Sequence, residues 1–375
     1  MLQNVYFVAF VLSWNLNILR RFIVSCYHPL KGFPIGFTKT GKVDYKITGY
    51  GVDHVELVRG TWMPVHIKER GSMAERVVRD FIEVPCGQCL GCRLQYSREW
   101  ANRCLLELQD HDSAFFATLT YDNPHVPKSA YGDPETGEAI PSLTLRKRDL
   151  QLFMKRLRKA FPDDKIRFYA CGEYGERTYR PHYHVILFGL HLDDLQVYER
   201  DPETGFVMYT SPSFQRCWSV KDDDGVVRPI GRAVVSEVSW ETCAYTARYV
   251  TKKLGGPAAC FYDDHNIEAP FTQMSLKPGI GRNYYDNHPD LYKYEYINVS
   301  TEKGGRKFRP PKYFDRIFDV EYPDESAAMK EARKRIAMDA RKAKLAQTNL
   351  SYLDLLAVEE RALKERVKSL KRRLD

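Results

Sequence analysis

Alternating and helically spaced apolar residues predict an α+β core between residues 113 and 256. Strand-like segments, in which apolar, β-branched or aromatic side chains dominate, are found at 115–122, 165–175, 181–189 and 231–239. Helical spacing of apolar residues is found at 144–161 and 240–254, and Thr144 and Ser239 are suited to cap these helices. With a short helix near 213–220, the order of elements is typical of a split-βαβ (RRM-like or ferredoxin-like) fold. We therefore predict an antiparallel sheet with helices on one face.

The segments outside this core differ from it in composition. Residues 26–112 are a cysteine-rich region, poor in regular structure except for a helix predicted near its end. The others are, in chain order, an N-terminal extension (1–25), an aromatic, turn-rich extension that we expect to pack on the core (257–324) and a basic helical tail (325–375). Within the core, Pro and Gly predict a loop at 124–141, and 200–230 is loop-rich.

Composition and charge narrow the class of protein. Hydrophobic residues make up 43% of the chain, which is typical of globular proteins. Of the formal net charge of +8, most comes from 325–375, which holds 14 Lys and Arg against 8 Asp and Glu. Such a tail is either a solvated helix or a surface for a polyanionic partner. The apolar run Val5–Leu12 lacks the flanks of a signal peptide and is too short to span a bilayer, so we expect no membrane association. Nine cysteines, an odd number, favour a reducing compartment.

A pair of histidines opens the third strand, in the sequence RPHYHVILFG. Side chains two apart in a strand lie on the same face, so His182 and His184 form half of a metal site. Glu173 ends the preceding strand and lies opposite them in a hairpin, although Glu176 is an alternative third ligand. Two imidazoles and a carboxylate leave open positions on a divalent ion, where a substrate phosphate can bind. The other interpretation is that the histidines and the turn carboxylates are merely structural.

The last helix of the core carries two tyrosines. Tyr245, Tyr249 and Lys252 are spaced to lie on one helical face, directly after a strand of the histidine-bearing sheet. A phenol is a weak nucleophile at neutral pH, but a metal ion makes a bound phosphodiester more electrophilic. Lys252 would favour the phenolate or contact the phosphate backbone. Taken alone, the tyrosine pair is equally typical of helix–sheet packing.

Three motifs in this order, FFATLTYD, RPHYHVILFG and YTARYVTKK, resemble those of the replication initiators of microviruses (gokushovirus type), members of the HUH endonuclease class. The stretches VPCGQCLGCR and MSLKPGIG also resemble this phage branch, and the resemblance covers about residues 26–324. It implies that His182 and His184 bind Mg²⁺ or Mn²⁺, with the third ligand varying in the class. It also implies that Tyr245 and Tyr249 alternate as nucleophiles that nick single-stranded origin DNA and later rejoin it.

In rolling-circle replication of this kind, the 5′ end stays on tyrosine and the free 3′-OH primes a host DNA polymerase. The resemblance therefore implies host polymerase and helicase partners and a place of action in the bacterial cytoplasm. Two alternatives stay open. One is a non-catalytic, zinc-stabilised nucleic-acid-binding protein, although the stacking sequences typical of RRM domains are absent. The other is a relaxase- or transposase-type enzyme of the same class.

Cysteine spacing indicates a second candidate metal site. Cys86, Cys89 and Cys92 are each three residues apart, and Cys26 or Cys104 could supply a fourth thiolate for a structural Zn²⁺. The alternatives are free, reduced cysteines or an iron–sulfur cluster, whose usual Cys-Pro is absent here. For phosphate contacts of DNA, Lys277 and Arg282 near KPGIG are candidates.

Overall fold

The computed structural model describes residues 26–66, 74–175, 178–200, 207–249, 259–301 and 304–368. The chain divides into two compact units. One contains the described residues up to Gln95 together with those from Ala327 onward, and the other is Tyr96–Ser326. This division differs from the predicted one, because the helical tail belongs to the same unit as most of the cysteine-rich region. The predicted extension 1–25 lies outside the described residues.

The first unit contains strands that the sequence did not predict. Two antiparallel three-stranded sheets, ordered β2-β1-β6 and β4-β3-β5, are built from β1 (Leu30–Phe37), β2 (Val43–Gly49), β3 (His54–Val58), β4 (Thr61–Val65), β5 (Arg76–Val78) and β6 (Ile82–Val84). Phe33, Val52 and Val55 form a buried cluster in this unit. Helix α1 (Leu90–Leu108) follows the last of these strands.

The second unit is built on a seven-stranded sheet whose neighbouring strands are all antiparallel, in the order β12-β13-β16-β7-β11-β10-β17. Its strands, with three two-stranded ribbons (β8-β9, β14-β15 and β18-β19), are β7 (Ala114–Thr120), β8 (Lys128–Gly132), β9 (Ala139–Leu143), β10 (Arg167–Tyr174), β11 (Pro181–Phe188), β12 (Gln196–Arg200), β13 (Val207–Thr210), β14 (Ser219–Lys221), β15 (Val227–Pro229), β16 (Ala233–Glu237), β17 (Phe271–Met274), β18 (Ile297–Thr301) and β19 (Gly304–Phe308). The antiparallel sheet is confirmed. The four predicted strands are its β16, β7, β11 and β10, side by side.

The remaining helices are α2 (Lys147–Ala160), α3 (Pro212–Cys217), α4 (Trp240–Tyr249), α5 (Cys260–Asp264), α6 (Arg282–Asn287), α7 (Lys312–Glu321), α8 (Pro323–Leu345) and α9 (Tyr352–Lys368), with a 3₁₀ turn at Leu291–Lys293. Within the described ranges, the helices include none with the length and apolar character needed to cross a bilayer. The predicted helical tail is confirmed by α8 and α9.

Helices cover both faces of the large sheet, so the prediction of helices on one face was wrong. On β11, Tyr183, Val185 and Leu187 pack with α2 in one buried cluster. Ile186 and Phe188 point the opposite way and pack with α1 and α4 in another. The physical reason is that β11 is apolar on both sides, as expected of a strand covered on both faces.

Local signals explain where the helices begin. The apolar stripe of α2 (Leu150, Phe153, Met154 and Leu157) is buried as predicted. Ser239 caps α4, since its hydroxyl accepts a hydrogen bond from the Thr242 N–H at 3.2 Å. Thr144 does not cap α2: its hydroxyl accepts from the Glu268 N–H instead. The predicted loop 124–141 was also wrong, because most of it forms the ribbon β8-β9.

Candidate active site

The two histidines lie on the sheet face that α1 and α4 cover. Side chains alternate along β11, so His182 and His184 project to the same face as Ile186 and Phe188. In the antiparallel pairing of β10 with β11, Glu173 lies directly opposite His182. The hairpin thus brings together all three residues that the sequence predicted as metal ligands.

One carboxylate oxygen contacts both imidazoles. Glu173 Oε1 lies 2.7 Å from His182 Nε2 and 3.0 Å from His184 Nε2. One nitrogen or oxygen of each residue lies within 4.8 Å of those of the other two. His184 and Glu173 are buried, whereas the His182 side chain is 20% exposed. The three groups converge on one point that is reached from the His182 side.

The outer nitrogens of the imidazoles are held by other groups. His182 Nδ1 lies 3.2 Å from the Arg180 carbonyl oxygen, and because a carbonyl only accepts, Nδ1 carries the proton in this bond. His184 Nδ1 lies 3.1 Å from the Thr118 hydroxyl, on the adjacent strand β7. The His184 ring also stacks on Phe116, with 5.4 Å between centroids. These contacts direct both Nε2 atoms toward Glu173, in the orientation needed for metal ligation.

The electrostatics of Glu173 fit a bound cation. Burial alone would raise the pKa of this carboxyl, but the hydrogen bonds from His182 and His184 outweigh it and hold the pKa below its ordinary value. The second oxygen, Oε2, is buried and has no hydrogen-bond partner among the described residues. A buried, unpartnered carboxylate oxygen beside two Nε2 atoms is the donor set of a divalent ion with open coordination positions. The residues present therefore fit such an ion.

Helix α4 packs on the same face as the histidines. Its Cys243, Ala244 and Ala247 are buried against β7, β10 and β11, and the Ala244 carbonyl accepts a 2.8 Å hydrogen bond from the Ser97 hydroxyl of α1. The backbones of Tyr245 and Tyr249 belong to this helix, four residues apart as predicted. Their side chains, and the whole of Lys252 and Glu176, lie outside the described residues.

The second predicted cluster also forms, with one correction. Cys26, Cys86, Cys89 and Cys92 offer sulfur atoms within 4.8 Å of one another. Cys104 is not in this group: it is fully buried in the core with Ala101 and Phe116, and its thiol interacts with that of Cys243. The helical spacing of α1 explains the error, because Cys104 shares the inward face of Trp100 and Ala101.

The thiols of this cluster differ in acidity. Burial raises the pKa of Cys26 to about 11. Burial also opposes ionisation of Cys89, but hydrogen bonds, led by the backbone N–H groups of Cys92 and Tyr27, outweigh it and lower the pKa to about 7. One thiol of the group is therefore set up to ionise first.

The predicted DNA contacts near KPGIG receive little support from the side chains. Lys277 is exposed, but Arg282 donates to Asp286 at 2.8 and 2.9 Å, so a carboxylate already occupies its guanidinium. The loop itself is held by the protein. Buried Glu107 accepts from the Gly281 N–H at 2.6 Å and pairs with Arg167, and Arg103 donates to the Ile280 carbonyl. The motif has a structural role in anchoring this loop to α1.

A cavity of about 750 Å³ in the C-terminal part of this unit has aromatic and basic walls. Tyr284 stacks on His288 with 3.9 Å between ring centroids, and the Lys307 ammonium lies 4.4 Å from the centroid of Tyr296. Tyr294, also in the lining, is 70% exposed. Exposed rings beside cations are the features that bind single-stranded bases and phosphates.

Comparison with known proteins gives the family. A family model for replication-associated proteins of the ORF2 type matches residues 114–254, which include the histidines and both tyrosines. A relative, the replication-associated protein ORF2 of Spiroplasma virus 4, is 34% identical over 78% of this chain and 85% of its own length. The chain belongs to this family.

Other members of the family come from related phages. The replication-associated protein VP4 of Bdellovibrio phage phiMH2K is 28% identical over 70% of this chain and 77% of its own length. The replication-associated protein ORF4 of Chlamydia phage 1 is 26% identical over 64% and 57%, respectively. No solved structure matches the chain.

Sequence reasoning missed the groups that orient the ligands. Thr118 contacts His184 Nδ1, and the Arg180 carbonyl contacts His182 Nδ1. Thr118 could have been found from the alternation of FFATLTYD, which places Thr118 and Thr120 on one face of the predicted strand. A backbone carbonyl leaves no signal in the sequence.

Proposed function

We propose that this protein initiates rolling-circle replication by nicking single-stranded origin DNA through attack of a tyrosine. The observation that carries the proposal is the Glu173, His182 and His184 constellation, which lies on the sheet face against which the helix of Tyr245 and Tyr249 packs. Family membership supports a replication role, because the named relatives are replication-associated proteins of phages.

The chemistry needs an electrophilic phosphorus and a positioned phenol. Glu173, His182 and His184 would hold Mg²⁺ or Mn²⁺, which when bound polarises the scissile phosphate and offsets its charge in the transition state. The tyrosine oxygen forms a bond to phosphorus while the bond from phosphorus to O3′ breaks. The phenolic proton is lost to solvent or a base, and O3′ leaves as a hydroxyl. Lys252 favours the phenolate or contacts the backbone phosphate.

The product retains the energy of the phosphodiester as a 5′-phosphotyrosine link. A 3′-OH that attacks this link reverses the step and rejoins the strand without ATP. Two tyrosines one helical turn apart allow one to hold the first 5′ end while the other cuts after a round of synthesis. The free 3′-OH is then the primer for a host DNA polymerase, with a helicase opening the duplex in the bacterial cytoplasm.

Incubation with single-stranded oligonucleotides that tile the phage origin, with Mn²⁺, tests the proposal on denaturing gels. We expect one cut oligonucleotide and a covalent protein–DNA adduct that the double variant Tyr245→Phe/Tyr249→Phe does not form. Tyr322→Phe is the matched control, because Tyr322 is 49% exposed and loses only a hydroxyl. Tyr292 is a poorer control, since its hydroxyl donates to Asp315 at 2.8 Å.

Adduct formation by the double variant at the wild-type level would refute the tyrosine mechanism. DNA binding by the wild-type protein, with neither cut nor adduct for any oligonucleotide, would instead indicate the non-catalytic, zinc-stabilised nucleic-acid-binding protein. Cutting of a conjugative-transfer or transposon-end sequence in place of the phage origin would indicate the relaxase- or transposase-type enzyme.

A further inference from the structure

The four cysteines of the first unit have the arrangement of a closed metal site. Cys86 and Cys89 lie on the connection between β6 and α1, Cys92 lies in the first turn of α1, and Cys26 precedes β1. All four are free thiols, and the Cys26 and Cys89 sulfurs are 4.0 Å apart. Four sulfurs around one Zn²⁺ at about 2.3 Å in a tetrahedron are separated by about 3.8 Å, so this spacing fits a shared ion.

Backbone N–H groups point at three of the sulfurs. Cys26 Sγ accepts from the Cys86 N–H at 3.2 Å, and Cys86 Sγ accepts from the Cys89 N–H at 3.3 Å. Cys89 Sγ accepts from two N–H groups, those of Tyr27 at 3.3 Å and Cys92 at 3.5 Å. Such bonds stabilise thiolates and orient them, as the groups around metal ligands do. Gly87, with φ of +75°, makes the tight turn that brings Cys86 and Cys89 together.

The surrounding fold has a reason to need an ion. The buried cluster of the two small sheets consists of Phe33, Val52 and Val55, whereas Phe37 and Met63 of these strands are 76% and 51% exposed. Small sheets with so little buried apolar surface usually need a disulfide or a metal to fold stably. An ion held by Cys26 and Cys86 closes a loop of 60 residues around this cluster.

We propose that Cys26, Cys86, Cys89 and Cys92 bind a structural Zn²⁺ that stabilises the N-terminal sheets. Four protein ligands close the coordination sphere, so this ion has no catalytic role. The inference does not depend on the proposed nicking activity.

X-ray absorption at the zinc edge of the purified full-length chain tests the proposal with every cysteine in place. To exclude ions at the histidine site, the protein carries His182→Ala and His184→Ala. We expect one zinc per chain by mass spectrometry, with four sulfur neighbours at about 2.3 Å. Iron in place of zinc, nitrogen or oxygen neighbours, or no metal would overturn the assignment.

Single variants then identify the ligands. Cys26→Ser and Cys89→Ser are expected to lose the zinc equivalent or to hold it weakly enough for a chelator to remove it. Cys260→Ser is the matched control, because Cys260 is the exposed cysteine outside the cluster. Cys104→Ser is expected to keep the zinc. Loss of zinc from the Cys104 variant but not from the Cys26 variant would contradict the ligand set.

Discussion

Thr118 is the residue through which the orientation of His184 can be tested without removing a metal ligand. Its hydroxyl lies 3.1 Å from His184 Nδ1. Replacement by valine keeps the shape of the side chain and substitutes a methyl for that hydroxyl. For Nε2 to bind a cation, Nδ1 must carry the proton and donate it, and the Thr118 oxygen is the acceptor placed to receive it.

The expected loss follows from what such partners contribute elsewhere. Removing a group that orients a metal-bound histidine weakens metal binding about 10- to 100-fold, which corresponds to about 1.4–2.8 kcal/mol. The free energy of unfolding should fall by no more than about 1.5 kcal/mol, the net contribution of one hydrogen bond. A larger effect on Mn²⁺ affinity than on stability therefore separates orientation of the ligand from general damage.

Thr120→Val supplies the control. Thr120 lies on the same face of β7, but its hydroxyl donates to the Arg232 carbonyl at 3.3 Å and not to a histidine. Mn²⁺ dissociation constants are measured by the electron paramagnetic resonance signal of the free ion, together with the Mn²⁺ concentration that gives half-maximal nicking. Equal Mn²⁺ affinities for the two variants would refute the argument that Thr118 orients His184.

Three further predictions concern the same unit. Glu107→Gln should lower the free energy of unfolding by roughly 3–5 kcal/mol at pH 7, because it breaks the buried pair with Arg167. Burial would raise the pKa of Glu107, but the hydrogen bonds to the carboxylate outweigh it and hold the pKa below the ordinary 4.5; the deficit should persist above that pH and shrink as the pH falls through the lower folded value, and a urea-measured deficit that stays constant down to pH 3 would contradict this. Tyr294→Ala should weaken binding of single-stranded DNA by about 1–3 kcal/mol in a fluorescence titration while leaving Mn²⁺ affinity unchanged, and equal binding of DNA would show that the cavity does not stack bases. Gly231→Ala should lower the melting temperature, because a Cβ there would lie 1.8 Å from the Thr120 carbonyl oxygen, and an unchanged melting temperature would mean that the strand end can move aside.

The sheet was predictable wherever a local pattern carried the information. The strands β7, β10, β11 and β16 have dense β-branched and aromatic side chains, and α2 shows a clean apolar stripe. The faces of the sheet were not predictable, because an apolar strand such as β11 shows only that it is buried on both sides. The short strands of the first unit have exposed apolar residues and little alternation, so tertiary pairing and not sequence pattern determines them.

The candidate site was predictable to the extent that its residues lie close in sequence. Strand alternation places His182 beside His184, and the hairpin places Glu173 opposite them. The choice between Cys26 and Cys104 was not decidable from spacing, because Cys26 reaches the other thiols from 60 residues away while Cys104 follows the inward face of its helix. Contacts over such separations depend on the whole fold.

Layers of helices above and below the large sheet restrict how a polymer can enter. His184 and Glu173 side chains are 6% and 3% exposed, so the rim near His182 is the accessible side of the trio. A nucleic acid chain must therefore arrive edge-on, with one phosphate directed inward and its neighbours left outside. A thin, unpaired strand can make that bend at little cost, whereas a stiff double helix cannot, and selection for melted origins would then follow from access alone.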